Sequence, residues 1–161
     1  MRVYVPSTHA GLRELAGSGG LGPGPLVGYA VTGSLRESYA EGDEEELEYV
    51  AMTAAARAAL TLLAREPDEP PRRVVVAVDV DEAVPNADLG PAGVELPHVV
   101  SMRDVAALHT DTDDAADDVT AAVEVLRRGG PRDPDEEFLL DAPEGYELAW
   151  FATQEIGDLL A

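Results

Sequence analysis

The chain has 161 residues, 45% of them hydrophobic, and its 32 acidic against 11 basic residues give a formal net charge of -21. This length fits one domain with one sizeable core, so we expect a single α/β domain over residues 1–161. The charge argues against direct binding to nucleic acid or to an anionic membrane, because both need clustered arginine or lysine.

All the basic residues are arginine, and cysteine is absent. These absences exclude chemistry that depends on a lysine amine or a thiolate, such as Schiff-base formation, P-loop phosphate binding and thiolate zinc sites. The N-terminus lacks the apolar run of a secretory signal, and no run reaches the length of a membrane span. We therefore expect a soluble, cytoplasmic protein.

The first elements are short. Residues 2–6 alternate like a strand, and Ser7 and Thr8 can cap a helix that leads into a loop rich in glycine and proline over residues 17–25, suited to a hinge or a lid. A second strand is predicted over residues 26–32, with Gly28 marking a close approach of two backbones. Ser34 and Glu37 have capping-box spacing and predict a short helix.

The central stretch is a long alanine-rich helix followed by a valine-rich strand. Asp43 and Glu46 start the helix, and its apolar stripe recurs at steps of three and four, as Leu47, Val50, Ala51, Ala54, Ala58 and Leu62. The unbroken apolar run 74–78 predicts a strand buried on both faces. The alternation of helices and strands favours a small mixed sheet, partly parallel, covered by the long alanine-rich helix and a C-terminal helix.

The second half is less regular. After an irregular stretch over residues 81–97, short strands are predicted at 98–100 and 105–109, and a helix capped by Asp113 or Asp114 ends near Gly129. A last helix is predicted to begin at Asp141. It would carry an aromatic group of Tyr146, Trp150 and Phe151, for which core packing is the favoured interpretation and a partner-binding patch the alternative.

Two acidic motifs could bind a divalent cation. Asp79 and Asp81 end the valine-rich strand with both carboxylates on one face, and His109 and Asp111 share a face at the end of a later strand. If the two strand ends were neighbours, the four side chains would form one Mg²⁺ or Mn²⁺ site. The simpler interpretation is that these acidic residues end strands in solvent and cap the next helix.

Three segments resemble a known family. They are the start Met1-Arg2-Val3-Tyr4-Val5-Pro6, the stretch from Ala30-Val31-Thr32 to the acidic run 39–49, and the closing run 147–155. The chain is similar over nearly its whole length to a family of small, acidic, cytoplasmic proteins of unknown function from actinobacteria. The resemblance implies a single-domain bacterial protein, and it implies no activity, cofactor or site residue.

The favoured function is a non-catalytic bacterial protein that acts through protein contacts, with a basic or apolar partner surface and no cofactor. The alternative is a phosphatase-like, Mg²⁺- or Mn²⁺-dependent enzyme that handles phosphate with the Asp79-Val80-Asp81 strand end. An enzyme would bring the four candidate ligands into one pocket, whereas a binding protein would show them dispersed beside a surface patch.

Overall fold

The structure is a computed structural model and describes residues 1–22 and 25–161. Its centre is a seven-stranded sheet with the strand order β5-β6-β3-β1-β4-β8-β9. The strands are β1 (Arg2–Ser7), β3 (Leu26–Tyr29), β4 (Val74–Asp79), β5 (Val84–Pro85), β6 (Gly93–Leu96), β8 (Val105–Thr110) and β9 (Ala149–Phe151). A separate two-stranded sheet pairs β2 (Gly20–Leu21) with β7 (Val100–Ser101).

The expectation of a partly parallel sheet is wrong, because every neighbouring pair of strands is antiparallel. The alternation of helices and strands misled the prediction for a specific reason. Strands β3 and β4 run in the same direction on either side of a helical connection, but β1 lies between them and pairs antiparallel with both. Alternation of helices and strands indicates that helices cover a sheet, but it does not show which strands are neighbours in that sheet.

Six α-helices accompany the strands in the described residues. They are α1 (His9–Ser18), α2 (Gly33–Ser38), α3 (Glu44–Ala64), α4 (Ala116–Arg127), α5 (Pro134–Asp141) and α6 (Ile156–Leu160). The predicted start of the long helix is confirmed. Asp43 is its N-cap, and the side chain of Asp43 accepts a hydrogen bond from the backbone N–H of Glu46 at 2.9 Å. The short helix α2 is capped by Thr32, two residues before the predicted cap Ser34.

Helix α3 covers one face of the sheet. Its buried positions are Leu47, Ala51, Ala55, Ala56, Ala59, Leu60 and Leu63. The predicted stripe was therefore right at Leu47 and Ala51, whereas Val50, Ala54, Ala58 and Leu62 are only half-buried. Length and composition alone would let α3 cross a membrane, contrary to the expectation from the sequence, and its packing on the sheet accounts for that apolar composition.

The opposite face is covered by α1, by the β2–β7 sheet and by α6. Strand β4 is buried on both sides, as predicted, because Val74, Val76 and Val78 point to this face while Val75 and Ala77 point to α3. Of the C-terminal helix predicted from Asp141, only the last residues are helical, as the short α6. A third apolar cluster joins the end of α3 to α4 and α5.

The C-terminal region differs most from its prediction. No helix begins at Asp141; α5 ends there, a 3-10 turn follows over Ala142–Gly145, and the edge strand β9 occupies Ala149–Phe151. The helix predicted from Asp141 is wrong over residues 149–151, because the chain is extended there and completes the sheet beside β8.

The irregular stretch 81–97 was likewise more ordered than predicted, since it holds β5 and β6. The predicted loop over residues 17–25 begins later than expected, because α1 continues to Ser18 and β2 follows it. Pro23 and Gly24, on which the hinge or lid interpretation depends, lie outside the described residues. The close backbone approach predicted at Gly28 is confirmed, since a Cβ there would lie 3.2 Å from the backbone carbonyl oxygen of Tyr4 and 2.5 Å from Cγ1 of Val3.

Candidate binding site

A cleft of about 310 Å³ lies between helix α3 and the edge strand β9. One wall is formed by α3, the other by residues 144–148 and β9, and the floor by side chains from the ends of β4 and β8. The lining residues are Tyr49, Met52, Thr53, Ala56, Arg73, His109, Glu144, Tyr146, Glu147, Leu148 and Trp150. The walls are thus mainly apolar and aromatic, and acidic side chains lie among them, a composition typical of binding sites.

Strand pairing places Trp150 at this cleft. In the antiparallel pair β8–β9, Trp150 lies opposite His109, so both side chains point to the face of the sheet that α3 covers. The flanking residue Phe151 points to the other face and packs against the core beside α6. Strand β9 is the last strand of the sheet, and Trp150 remains 62% exposed.

A buried ion pair forms the floor. Arg73 precedes β4 and Asp111 follows β8, and the pairing of Val74 with Thr110 brings the two side chains together. Both are almost completely buried, and the carboxylate of Asp111 accepts hydrogen bonds from the backbone N–H of Arg73 at 2.9 Å and from its Nε and Nη2 at 2.9 and 2.7 Å. Two charges removed from water need such complete pairing.

The same arginine holds the outer wall in place. Its Nη2 also donates a hydrogen bond to the backbone carbonyl of Tyr146 at 3.1 Å, which ties the segment 144–148 to the end of the sheet. Because Asp111 neutralises the charge of Arg73, the pair acts as a structural support for the cleft and adds no net charge to it.

Two titratable groups of the cleft are perturbed. Burial lowers the pKa of His109, so its imidazole is neutral at pH 7. Hydrogen bonding to Asp118, together with the charges of Asp114 and Asp117, raises the pKa of Tyr146. The cleft therefore presents neutral rings at pH 7, and its net charge comes from the carboxylates along its edge.

The edge of the cleft is acidic. Arg57 on α3 binds both Asp141, at 2.7 Å, and Glu144, at 3.0 Å. Glu147 lines the cleft, is exposed, and takes part in none of the ion pairs found among the described residues. The edge therefore carries the three carboxylates of Asp141, Glu144 and Glu147 and one guanidinium, so its net charge is negative.

The candidate metal ligands lie at two separate places. Asp79, at the C-terminal end of β4, binds Nε of Arg2 at 2.7 Å, and this exposed partner lowers the pKa of Asp79. Asp79 and Asp81 line a second cleft of about 360 Å³. His109 and Asp111 are at the opposite end of the antiparallel β4–β8 pair, beside Arg73.

The structure therefore does not bring the four candidate ligands together. In the described part of the chain, no group of three or more histidine, aspartate or glutamate side chains is arranged to hold a metal ion. The hypothesis of a Mg²⁺ or Mn²⁺ site at Asp79, Asp81, His109 and Asp111 stays a prediction, and a divalent-ion titration would test it.

The sequence pattern placed Tyr146 and Trp150 in one aromatic group and His109 in a separate metal motif, and it did not indicate Tyr49, Arg73 and Glu147 as site residues. A signal for the buried pair was present, since Arg73 and Asp111 each adjoin one of two apolar strands. Only the pairing of those strands shows that the two residues meet, and local periodicity does not reveal pairing.

Comparison with known proteins gives a family and no activity. No curated protein and no solved structure matches the chain significantly. A family model covers residues 1–160, almost the whole chain. The chain therefore belongs to that family, described as a family of unknown function (DUF6912).

Proposed function

We propose that this protein is a non-catalytic binding protein that holds a protein partner at the cleft between α3 and β9. The observation that carries the proposal is the exposure of Trp150, the only tryptophan of the chain, on an edge strand at that cleft. Tryptophan with an exposed ring is enriched where proteins bind one another, and a tryptophan seated in a partner's surface is a frequent anchor.

The energy available at this residue is large enough to matter. An aromatic side chain can bury about 150–250 Å², which at about 25 cal/mol per Å² corresponds to roughly 4–6 kcal/mol. With Trp150 62% exposed, more than half of that stabilisation is unused in the isolated chain. Covering the ring would contribute about 2–4 kcal/mol to binding before the costs of association are subtracted.

The dispersal of the candidate catalytic carboxylates supports a binding role. Asp79 and Asp111 are engaged by Arg2 and Arg73 at opposite ends of the β4–β8 pair, as expected of side chains with structural roles. A cytoplasmic location and an actinobacterial source belong to the same proposal. They are supported by the similarity described above and, for the source, by a composition rich in alanine, glycine and arginine with no lysine.

Quantitative affinity capture from the cells that naturally produce the protein tests the proposal. Trp150→Ser and Val84→Ser are a matched pair, because both remove an exposed apolar side chain from an edge strand, at opposite edges of the sheet. We expect a partner that co-purifies with the wild type and with Val84→Ser but is reduced at least tenfold with Trp150→Ser. Equal recovery with both variants would contradict a partner site at this cleft.

A further inference from the structure

The two edges of the large sheet are unequal. At one edge, β5 has two residues and ends in Pro85, which has no backbone N–H to offer a further strand. At the other edge, β9 has no proline, and within the described residues no strand pairs with its outer side. The β9 edge, with three residues and no proline, is therefore the better suited of the two to accept an additional strand.

A strand added to β9 would have a defined relation to the cleft. The residue opposite Trp150 would point its side chain to the face that α3 covers, with its Cβ about 4.5–5.5 Å from that of Trp150. This side chain would lie along the indole ring. Glu144 and Glu147 of the acidic edge line the same cleft as Trp150, so a cationic group on this side chain would have carboxylates nearby.

The charge decides which occupant fits. A second copy of the chain would bring another net charge of -21 against the same acidic edge, and an acidic partner would be repelled in the same way. A cationic side chain gains from the face of a tryptophan ring within about 6 Å and from nearby carboxylates. Glu147 is the one carboxylate of this edge that Arg57 does not already bind.

We propose that the occupant is an extended segment of a basic partner protein that pairs with the outer edge of β9 and lays an arginine or lysine side chain across Trp150 towards Glu147. This inference rests on the proposed function and specifies its partner. Backbone hydrogen bonds to β9 supply sequence-independent affinity, and the cation at the position opposite Trp150 supplies specificity.

The emission of Trp150 reports occupancy directly, because no other tryptophan contributes. The probe is the blocked peptide acetyl-Thr-Val-Thr-Arg-Thr-Val-Thr-amide, titrated to about 1 mM into the intact protein. We expect a saturable change in emission, and about tenfold weaker binding when the central arginine of the peptide is replaced by glutamate. Equal binding of the two peptides, or no binding of either, would overturn the inference.

Two N-methylated versions of the peptide test strand addition. In a β-strand, alternate residues direct their N–H groups to the same neighbour. We therefore expect methylation of one alternate set to abolish binding, while methylation of the other leaves it within about threefold. The same effect from both sets would rule out pairing with β9. An emission change on raising the protein concentration alone would identify a second copy as the occupant and would also overturn the inference.

A labelled form of the arginine peptide, followed by fluorescence anisotropy, tests the carboxylate. Glu147→Gln should weaken its binding several-fold, whereas Glu37→Gln, the same charge change at an exposed position near the opposite edge, should not. Equal weakening by both variants would show attraction to the net charge only and contradict the site. If the peptides fail while Trp150→Ser still loses the natural partner, the proposed function stands and this inference falls.

Discussion

The buried pair Arg73–Asp111 should be one of the main supports of the fold, and Asp111→Asn tests this. The variant keeps the shape of the side chain but removes the charge that three N–H groups of Arg73 now share at 2.7–2.9 Å. Because both side chains are almost completely buried, the guanidinium would be left without a counter-charge in a place that water cannot reach. Breaking one side of such a pair costs about 3–5 kcal/mol.

Asp79→Asn is the matched control, since Asp79 also binds an arginine through Nε and Nη2 and also lies at the C-terminal end of a strand of the large sheet. Its pair with Arg2 is exposed to solvent, with 40% and 57% of the two side chains accessible, so we expect a loss of only about 0–1 kcal/mol. Urea unfolding followed by circular dichroism measures both free energies, and the melting temperature of Asp111→Asn should fall by about 6–20 °C. Losses within about 1 kcal/mol of each other would refute the assignment of Arg73–Asp111 as a structural pair.

Three further predictions concern other parts of the molecule. Burial lowers the pKa of His109, so the unfolded chain binds a proton at this imidazole more tightly than the folded chain, and the free energy of unfolding should fall as the pH drops below the ordinary pKa of 6.5. Urea unfolding from pH 5 to 8 should show a smaller fall in His109→Gln than in His98→Gln, the control at an exposed histidine. Gly28→Ala should lower the free energy of unfolding by about 1–3 kcal/mol, because its Cβ would clash with the neighbouring strand. Gly17→Ala, whose Cβ meets open space in α1, should raise it by up to about 1 kcal/mol, and equal effects of the two variants in urea unfolding would contradict the close approach at Gly28. Sodium chloride and magnesium chloride at equal ionic strength should raise the melting temperature equally, because both screen the net charge of -21. Stabilisation by micromolar Mg²⁺ or Mn²⁺ that is lost in Asp79→Asn would instead establish the metal site.

Local signals predicted the elements that local physics determines. Asp43 caps α3 because its carboxylate accepts a hydrogen bond from the free backbone N–H of Glu46. The two residues are three apart in the sequence, so this contact depends only on local spacing. The run 74–78 is apolar without alternation because both faces of β4 are covered, and this too is visible in the sequence.

The errors arose where distant segments decide the structure. Residues 149–151 form a strand because β8 offers them an edge, and nothing within the segment distinguishes that outcome from a helix. The exposure of Trp150 follows from the same pairing. Of the aromatic group expected to pack on the core, Phe151 does so, whereas Tyr146 and Trp150 line an open cleft.

The separation of the candidate metal ligands has the same origin. Asp79 ends β4 and Asp111 follows β8, and parallel strands would have placed them at one edge of the sheet. Strands β4 and β8 are antiparallel, so the two carboxylates lie at opposite ends and each meets a different arginine. Strand direction thus decides whether the two acidic motifs can share one site, and the sequence pattern does not encode it.

Site-specific photocross-linking in the producing cells tests the central claim most directly. A benzophenone amino acid placed at position 150 would face any partner in the cleft, and one placed at position 84 would sample the opposite edge of the sheet from a similarly exposed position. The account predicts a discrete protein adduct at 150 that is absent at 84 and is competed by the arginine peptide. Adducts of equal yield and pattern at both positions, or none at 150, would contradict a partner site beside β9.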